Sequence, residues 1–372
     1  MLGVYVHLPF CPYLCPYCDF AKWPLRESAA ERYLSALHAE IEREPAVAAA
    51  SIYLGGGTPN AYDRERLVDL IARLRDRFAG ARELSIEVNP ELVHDADLAR
   101  YREVGITRLS IGVQSFDPEE IRTLGRKHRA EDVARVVAAA RSARIASVSL
   151  DLMFAVPGQT AASWRRSLDA AIALEVDHIS AYGLTVEDGT PFAAWRDREP
   201  NAFCDDALEA EFYAMAIDVL GAAGYQQYEI SNFARPGHQC AHNLNYWANG
   251  EYVGLGVGAA SYRGGVRSVH TRSLEPYISA ALAGAPIPAQ AERLEGRKRA
   301  GEAMMLALRT TQGVGVSEFK KRYGTDVMED YASVVNRFAR TGLLERDGDT
   351  IRLTRRGRFF ANDVCGAFVT FE

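Results

Sequence analysis

From its first residues to about position 185 the chain alternates short apolar, β-branched runs with segments whose apolar residues recur at helical spacing. Strands joined by helices run parallel, because a parallel pair needs a crossover that a tight hairpin cannot supply. Strands are expected at 4–8, 51–54, 83–88, 108–113, 147–154 and 178–184. Between them, Tyr33, Leu34, Leu37 and Ile41 mark one helix face behind a capping box Ser28-Ala29-Ala30-Glu31, and Leu67, Leu70, Ile71 and Leu74 mark another. Val133, Val136 and Val137, then Trp164, Leu168 and Ile172, mark two more. Six such βα units, twisted one way, predict an α/β fold, a partial (β/α)6 barrel with its chemistry at the C-terminal ends of the strands.

Beyond Ala202 the alternation is less regular. A helix is expected over 205–220, a strand over 225–233, then a Gly-rich stretch with Gly254, Gly256 and Gly258, and a linker of small residues and Pro over 283–288. Helices at 297–309, 317–323 and 327–340, followed by a hairpin (343–346 and 350–354) turning at Asp347-Gly348, give the order of a winged-helix-like α+β domain. The expected division is a barrel core over 1–230, an extension over 231–290 and the C-terminal domain over 291–372. Arg352, Arg355, Arg356 and Arg358 of that domain interleave with Glu345, Asp347 and Asp349, which favours a docking or lid module over nucleic-acid binding. A net charge of -6 argues the same way. No apolar run reaches the roughly 18 residues of a membrane span, and the N-terminus lacks a basic leader and apolar core, so the chain is read as cytoplasmic with reduced thiols.

Cys11, Cys15 and Cys18 place three thiols on one loop directly after the first strand. Disulfides among them would be strained at such short spacing. A structural zinc needs a fourth ligand, which His7 could supply in a Cys3His set, although its period-2 position puts it on a face with Tyr5, away from the loop. A [4Fe-4S] cluster held by three cysteines keeps one iron open. Cys204, Cys240 and Cys365 are scattered and read as small buried hydrophobes. One strand later, Gly55-Gly56-Gly57-Thr58-Pro59 lets backbone amides approach a ligand, with no Lys at the spacing of a phosphate-binding loop. Glu87, Gln114 and Asp151 then fall at strand ends where a barrel interior would otherwise favour aliphatics, and Arg126 could fork onto a carboxylate.

The C-x3-C-x2-C triplet coupled to GGGTP resembles the radical S-adenosylmethionine (SAM) superfamily. Tyr5-Val6-His7-Leu8-Pro9-Phe10-Cys11, Ser110-Ile111-Gly112-Val113-Gln114-Ser115-Phe116, Val156-Pro157-Gly158-Gln159-Thr160 and the run from Ile179 to Thr190 are similar to oxygen-independent coproporphyrinogen III dehydrogenases and their relatives over nearly the whole chain. The resemblance implies Cys11, Cys15 and Cys18 as ligands of a [4Fe-4S] cluster, with Tyr5, Tyr17, Gly56, Gly57, Thr58, Glu87, Gln114, Arg126 and Asp151 around SAM. Two departures narrow it. Phe20 stands where the dehydrogenases carry a fourth cysteine, and His242-Asn243-Leu244-Asn245-Tyr246-Trp247 resembles the HNxxYW motif of the HemW-type haem chaperones. That resemblance implies a protein that carries haem as cargo to apo-haemoproteins such as respiratory enzymes, with transient membrane proximity, and with an electron donor if SAM is cleaved. The alternative is the dehydrogenase itself, a radical oxidative decarboxylation in haem biosynthesis. His242 is the expected axial ligand to haem iron, with His238 and Cys240 as alternatives, while Tyr246 and Trp247 offer flat apolar area.

Overall fold

The computed structural model describes residues 2–369; Met1 and positions 370–372, at the outer ends of the expected 1–230 and 291–372 units, lie outside the described residues. The expected parallel strands are present as β1 (Gly3–Leu8), β2 (Ser51–Gly56), β3 (Glu83–Val88), β4 (Arg108–Gln114), β5 (Ser147–Phe154) and β6 (His178–Gly183). Each pairs in parallel with the next. Their crossovers include α1 (Glu27–Arg43), α2 (Arg64–Arg77), α3 (Asp95–Glu103), α4 (Ala130–Ser142) and α5 (Ala161–Ala173). Strand side chains alternate with period 2. Val4, Val6, Leu8, Ile52, Leu54 and Ile86 join helix residues such as Leu34, Leu37 and Leu70 in one apolar core. The alternate residues, among them Tyr53, Glu87, Asp151 and Ser180, turn inward and border a cavity. The barrel interior is therefore polar, which requires partners for each group it holds.

Helix α1 begins without the expected capping box. Arg26 is its extended N-cap residue with no side-chain cap, and Ser28 already lies inside the first turn. The chain arrives there directly from a short parallel pairing of Trp23–Pro24 with Phe10–Cys11, followed by Leu25 N–H donating to the Cys11 carbonyl (2.8 Å). The single strand expected over 225–233 is instead Gln226–Gln227 and β7 (Asn232–Ala234), antiparallel to each other around a turn in which the Glu229 carboxylate accepts from Ser231 N–H (3.1 Å).

The stretch expected as a separate extension, 231–290, adds strands to both ends of the same sheet. β7 pairs antiparallel with β6, while β8 (Tyr252–Leu255) pairs in parallel with β1 as a seventh parallel strand. From β8 the sheet continues antiparallel through β9 (Ala260–Arg263), β10 (Val266–His270) and β11 (Ala289–Arg293). Among the described residues twelve strands form this sheet, so the expected border at 290 falls inside β11, and the small-residue segment 283–288 joins a helix to that strand. Between β6 and β8 lie α6 (Asp206–Ala222), capped by the Asp205 side chain, and α7 (Ala241–Trp247), which carries the HNxxYW residues.

The C-terminal domain has its own core around Met304, Phe319, Val335, Phe338 and Ile351. It comprises α8 (Gly296–Ala307), α9 (Val316–Tyr323) and α10 (Ala332–Arg340), with a three-stranded sheet of Val314–Gly315, Leu344–Asp347 and Thr350–Leu353. The helix expected over 327–340 is broken at the buried Tyr331, leaving the short turn Val327–Asp330 ahead of α10. The hairpin turns one residue later than expected, since Asp347 pairs with Thr350 across Gly348 and Asp349. Thr311 N–H donates to the Tyr228 carbonyl (3.0 Å), and Arg322 donates to the carbonyls of Ala248 (2.9 Å) and Asn249 (3.0 Å), which tie this domain to the underside of the barrel. Among the described residues, no helix is long and apolar enough to cross a membrane.

Candidate functional site

The cysteine loop is closed at its base by contacts of the chain itself. Phe10–Cys11 pairs with Trp23–Pro24, and His7 Nε2 lies 2.7 Å from the Ala21 carbonyl oxygen. That contact requires a proton on Nε2, so Nδ1 accepts from the Tyr5 hydroxyl at 3.0 Å. Burial lowers the His7 pKa, in keeping with a neutral ring. Both nitrogens are engaged, so His7 is not free to complete a Cys3His zinc set, in keeping with its expected place on a face with Tyr5. Among the described residues no group of three or more His, Cys, Asp or Glu side chains, the three thiols included, is drawn together as a metal site.

Cys11, Cys15 and Cys18 all border a cavity of about 500 Å³. As free thiols, Cys11 is pushed up to about 11 and Cys18 is also raised, in both cases by burial first. The glycine loop forms the adjoining wall. Its glycines serve packing as much as ligand access: a Cβ at Gly55 would come 2.7 Å from the Glu87 carboxylate carbon, and one at Gly57 would come 2.6 Å from the Leu8 carbonyl oxygen. Gly56 has φ +102°, and a methyl there would collide with the His7 ring. Gly57 N–H and Thr58 N–H donate to the carbonyls of Leu8 (2.9 Å) and Phe10 (3.1 Å), so the two loops are zipped together.

The polar strand ends converge as expected. Glu87 accepts from Tyr53 Oη (2.8 Å) and Gly56 N–H (3.1 Å), and burial, then the nearby Asp151 charge, raise it to about 7. Asp151 accepts from Ser110 Oγ at 3.0 Å, and its carboxyl is raised by burial. A register shift between Gly112 and Gln114 re-aims Gln114, which sits at φ 65° and accepts from Tyr182 Oη at 2.6 Å. Arg126 donates to Asn89 Oδ1 (2.8 Å) and the Gly112 carbonyl (2.6 Å). Tyr17, beside the Phe192 ring at 6.1 Å, lines the same space. Phe20, 59% exposed, borders its mouth.

Two expected residues lie elsewhere. Tyr5 is not among the cavity-lining residues; its hydroxyl is given to His7 and its ring stacks on Tyr53 at 6.4 Å. His242 is 2% exposed beneath the barrel, with Nδ1 2.9 Å from Ser51 Oγ and Nε2 2.9 Å from Tyr246 Oη. An imidazole with both nitrogens engaged presents no lone pair to an incoming iron, which corrects the expectation of an open axial ligand. Cys240 is buried too, its thiol 3.4 Å from Glu83 Oε1, and of the three candidates only His238 keeps a partly exposed ring, 3.9 Å from Asp177. Residues missed in the sequence are Tyr53, Asn89, Tyr182 and Asn243, all in the cavity wall. Period-2 spacing from Gly55 would have pointed to Tyr53; nothing in the sequence marks Asn243 as facing the cavity.

Burial lowers His242 to about 4. Between that value and the ordinary histidine value the unfolded chain binds a proton that the folded chain refuses, so stability falls as pH falls through this window, by about 3 kcal/mol in all. His242→Gln should lose that portion of the pH dependence, read as the change in unfolding free energy between pH 7 and pH 4. Parallel profiles for the two proteins would contradict a buried neutral ring.

Residues 5–171 match the Radical SAM superfamily, and residues 294–360 match the HemN C-terminal domain. The heme chaperone HemW of Bacillus subtilis is 35% identical, with 99% of each chain covered. That of Mycobacterium tuberculosis is 38% identical, covering 97% of this chain and 93% of its own. The solved structure of coproporphyrinogen III oxidase (HemN) from Escherichia coli, a radical SAM enzyme, superimposes with a TM-score of 0.87 at 26% identity, over 100% of this chain and 90% of that one. Radical SAM membership implies an iron-sulfur cluster and SAM, and the full-length similarity assigns the chain more narrowly: it belongs to the HemW family of the radical SAM superfamily.

Proposed function

We propose that this chain is a haem chaperone, binding haem and passing it to apo-haemoproteins such as respiratory enzymes, and that it carries a [4Fe-4S] cluster and SAM as resident cofactors. The observation that carries the reading is the similarity to the heme chaperone HemW of Bacillus subtilis across 99% of both chains. The donor chemistry suits the cluster: three thiols on one loop border a common cavity, and the His7 imidazole is committed to Ala21 and Tyr5. When bound, the cluster would offer one iron without a protein ligand, to which SAM can attach.

Around SAM, Arg126 would fork onto its carboxylate, and Gly56, Gly57 and Thr58 would present backbone to its methionine portion. Glu87, Gln114 and Asp151 would receive its hydroxyls and charges, with Tyr17 packing beside them. Tyr5 would act behind this wall, through His7 and Tyr53. A cavity of about 500 Å³ walled by Glu87, Asp151 and Gln114 suits one polar ligand of that size. The protein works in the cytoplasm and reaches the membrane transiently where its recipients are respiratory enzymes. The winged-helix-like domain serves as a docking module.

The likeness to the Escherichia coli HemN structure favours the dehydrogenase as a second reading. Against it stands Phe20, whose benzyl group can neither donate nor accept the proton that a thiol would handle. One comparison separates the two. The reconstituted protein is expected to take up haem with a stable absorption spectrum that decays when an apo-haemoprotein is added, and to form no vinyl product from coproporphyrinogen III with SAM and a reductant. Vinyl formation at enzymatic rates, or haem that never leaves for the recipient, would sink the chaperone reading.

A further inference from the structure

We propose that His242 is a positioning residue for the SAM cavity, acting through Tyr53, and that helix α7 is the floor of that cavity and not a seat for haem iron. The inference rests on the cavity being the SAM site. It starts from where α7 lies. Ser51, Glu83 and Gly3 are the first residues of β2, β3 and β1, and all three meet this helix. The Glu83 carboxylate accepts from the backbone N–H groups of Ala241 (3.1 Å) and His242 (3.0 Å), anchoring the start of the helix to the barrel. Gly3 packs directly under the helix, since a Cβ there would come 3.2 Å from Asn245 Nδ2 and 3.4 Å from His242 Cε1.

From this floor a continuous set of contacts rises to the ligand-facing rim. The His242 ring stacks on Tyr53 with centroids 5.2 Å apart and planes at 26°. Tyr53 Oη donates to Glu87 Oε1 at 2.8 Å, and Glu87 Oε2 holds Gly56 N–H at 3.1 Å. Removal of the imidazole frees Tyr53 to tilt, and the tilt reaches Glu87 and the glycine loop. Asn243, the next residue of the motif, borders the cavity itself. The remaining motif residues brace the helix from outside. Tyr246 takes His242 Nε2 and packs edge-on to Tyr252 at 4.7 Å, while Trp247 lies under the Arg309 guanidinium of the C-terminal domain at 5.3 Å. For iron to reach Nε2, Tyr246 would have to leave, and the brace that shapes the cavity would go with it.

The test uses full-length, cluster-reconstituted protein and compares His242→Ala, Tyr53→Phe and the double variant. SAM affinity and the SAM-induced change in the EPR spectrum of the reduced cluster are measured, with iron content and the haem absorption spectrum recorded on the same samples. His242→Ala should weaken SAM binding roughly tenfold, the size of effect expected of a group that orients a ligand's partners, with iron content and haem spectrum unchanged. Tyr53→Phe should shift SAM affinity the same way, and the double variant should fall no further than the weaker single one. Unchanged SAM affinity in His242→Ala, or loss of the haem spectrum with SAM binding intact, overturns the proposal. If His242→Ala does not fold, Tyr53→Phe decides, because it keeps the stacked ring and removes only the bond to Glu87; unchanged SAM affinity there overturns it equally. Wild-type protein that binds no SAM overturns the cavity assignment as well, whereas SAM-binding wild type with unaffected variants overturns the positioning role alone.

Discussion

Cys15→Ala protein is expected to emerge folded but without its iron. The half-buried Cys15 borders the cavity, and the closure of its loop depends on other groups: the pairing of Phe10–Cys11 with Trp23–Pro24, and His7 on the Ala21 carbonyl. Loss of one thiol removes a third of the donor set without opening the loop, so unfolding free energy should change by no more than about 1 kcal/mol in the apoprotein. Iron content and visible absorbance should fall to background, and SAM binding with them. Cys204→Ala, outside the cavity, should retain both. Unaltered iron in Cys15→Ala would end the iron-sulfur reading of the loop.

Gly56→Ala is expected to be the most damaging single-methyl change in the glycine loop. The residue is held at φ +102°, and the new methyl would overlap His7 Nδ1 and Cε1. His7 has no room to retreat, since Tyr5 Oη at 3.0 Å and the Ala21 carbonyl at 2.7 Å hold it on both sides. Backbone strain of about 1–3 kcal/mol and overpacking of about 1–3 kcal/mol add, so a loss of about 4 kcal/mol is expected in urea unfolding. SAM binding should fail as well, because Glu87 holds this residue's N–H. Gly158→Ala is the control: φ is +82° and nothing lies within 4 Å of the added carbon, so only the backbone part should be lost. Equal stability of the two variants would refute the close packing of His7 against the glycine loop.

The six parallel strands were legible because their apolar alternate residues all face the helices, and β-branched runs between helical patterns have few other meanings. The cavity was legible for the same geometric reason. Motif residues at successive strand ends must share one rim, so Glu87, Gln114, Asp151 and the glycine loop came together around the thiols. The seventh strand was not legible: β8 is four residues long and carries Gly254 within a Gly-rich run, and its parallel partner β1 is the N-terminal strand of the chain. The strands β9 to β11 escaped because β9 and β10 are mostly half-buried, β11 is exposed throughout, and none shows a sustained apolar period. His242 was misjudged for a different reason. Residue type and motif say what an imidazole can do, but whether its nitrogens are free depends on Ser51 and Tyr246, and Ser51 lies far away in sequence.

The closed base of the cysteine loop bears on the order in which this protein is built. Small metal-dependent domains stay unfolded until the ion arrives, because nothing else holds their ligands. Here hydrogen bonds of the chain itself, between Phe10–Cys11 and Trp23–Pro24 and between His7 and Ala21, draw the ends of the thiol loop together. Folding of this loop and loading of its thiols are therefore separable steps, because the chain's own hydrogen bonds join the ends of the loop whether or not anything is bound to its sulfurs.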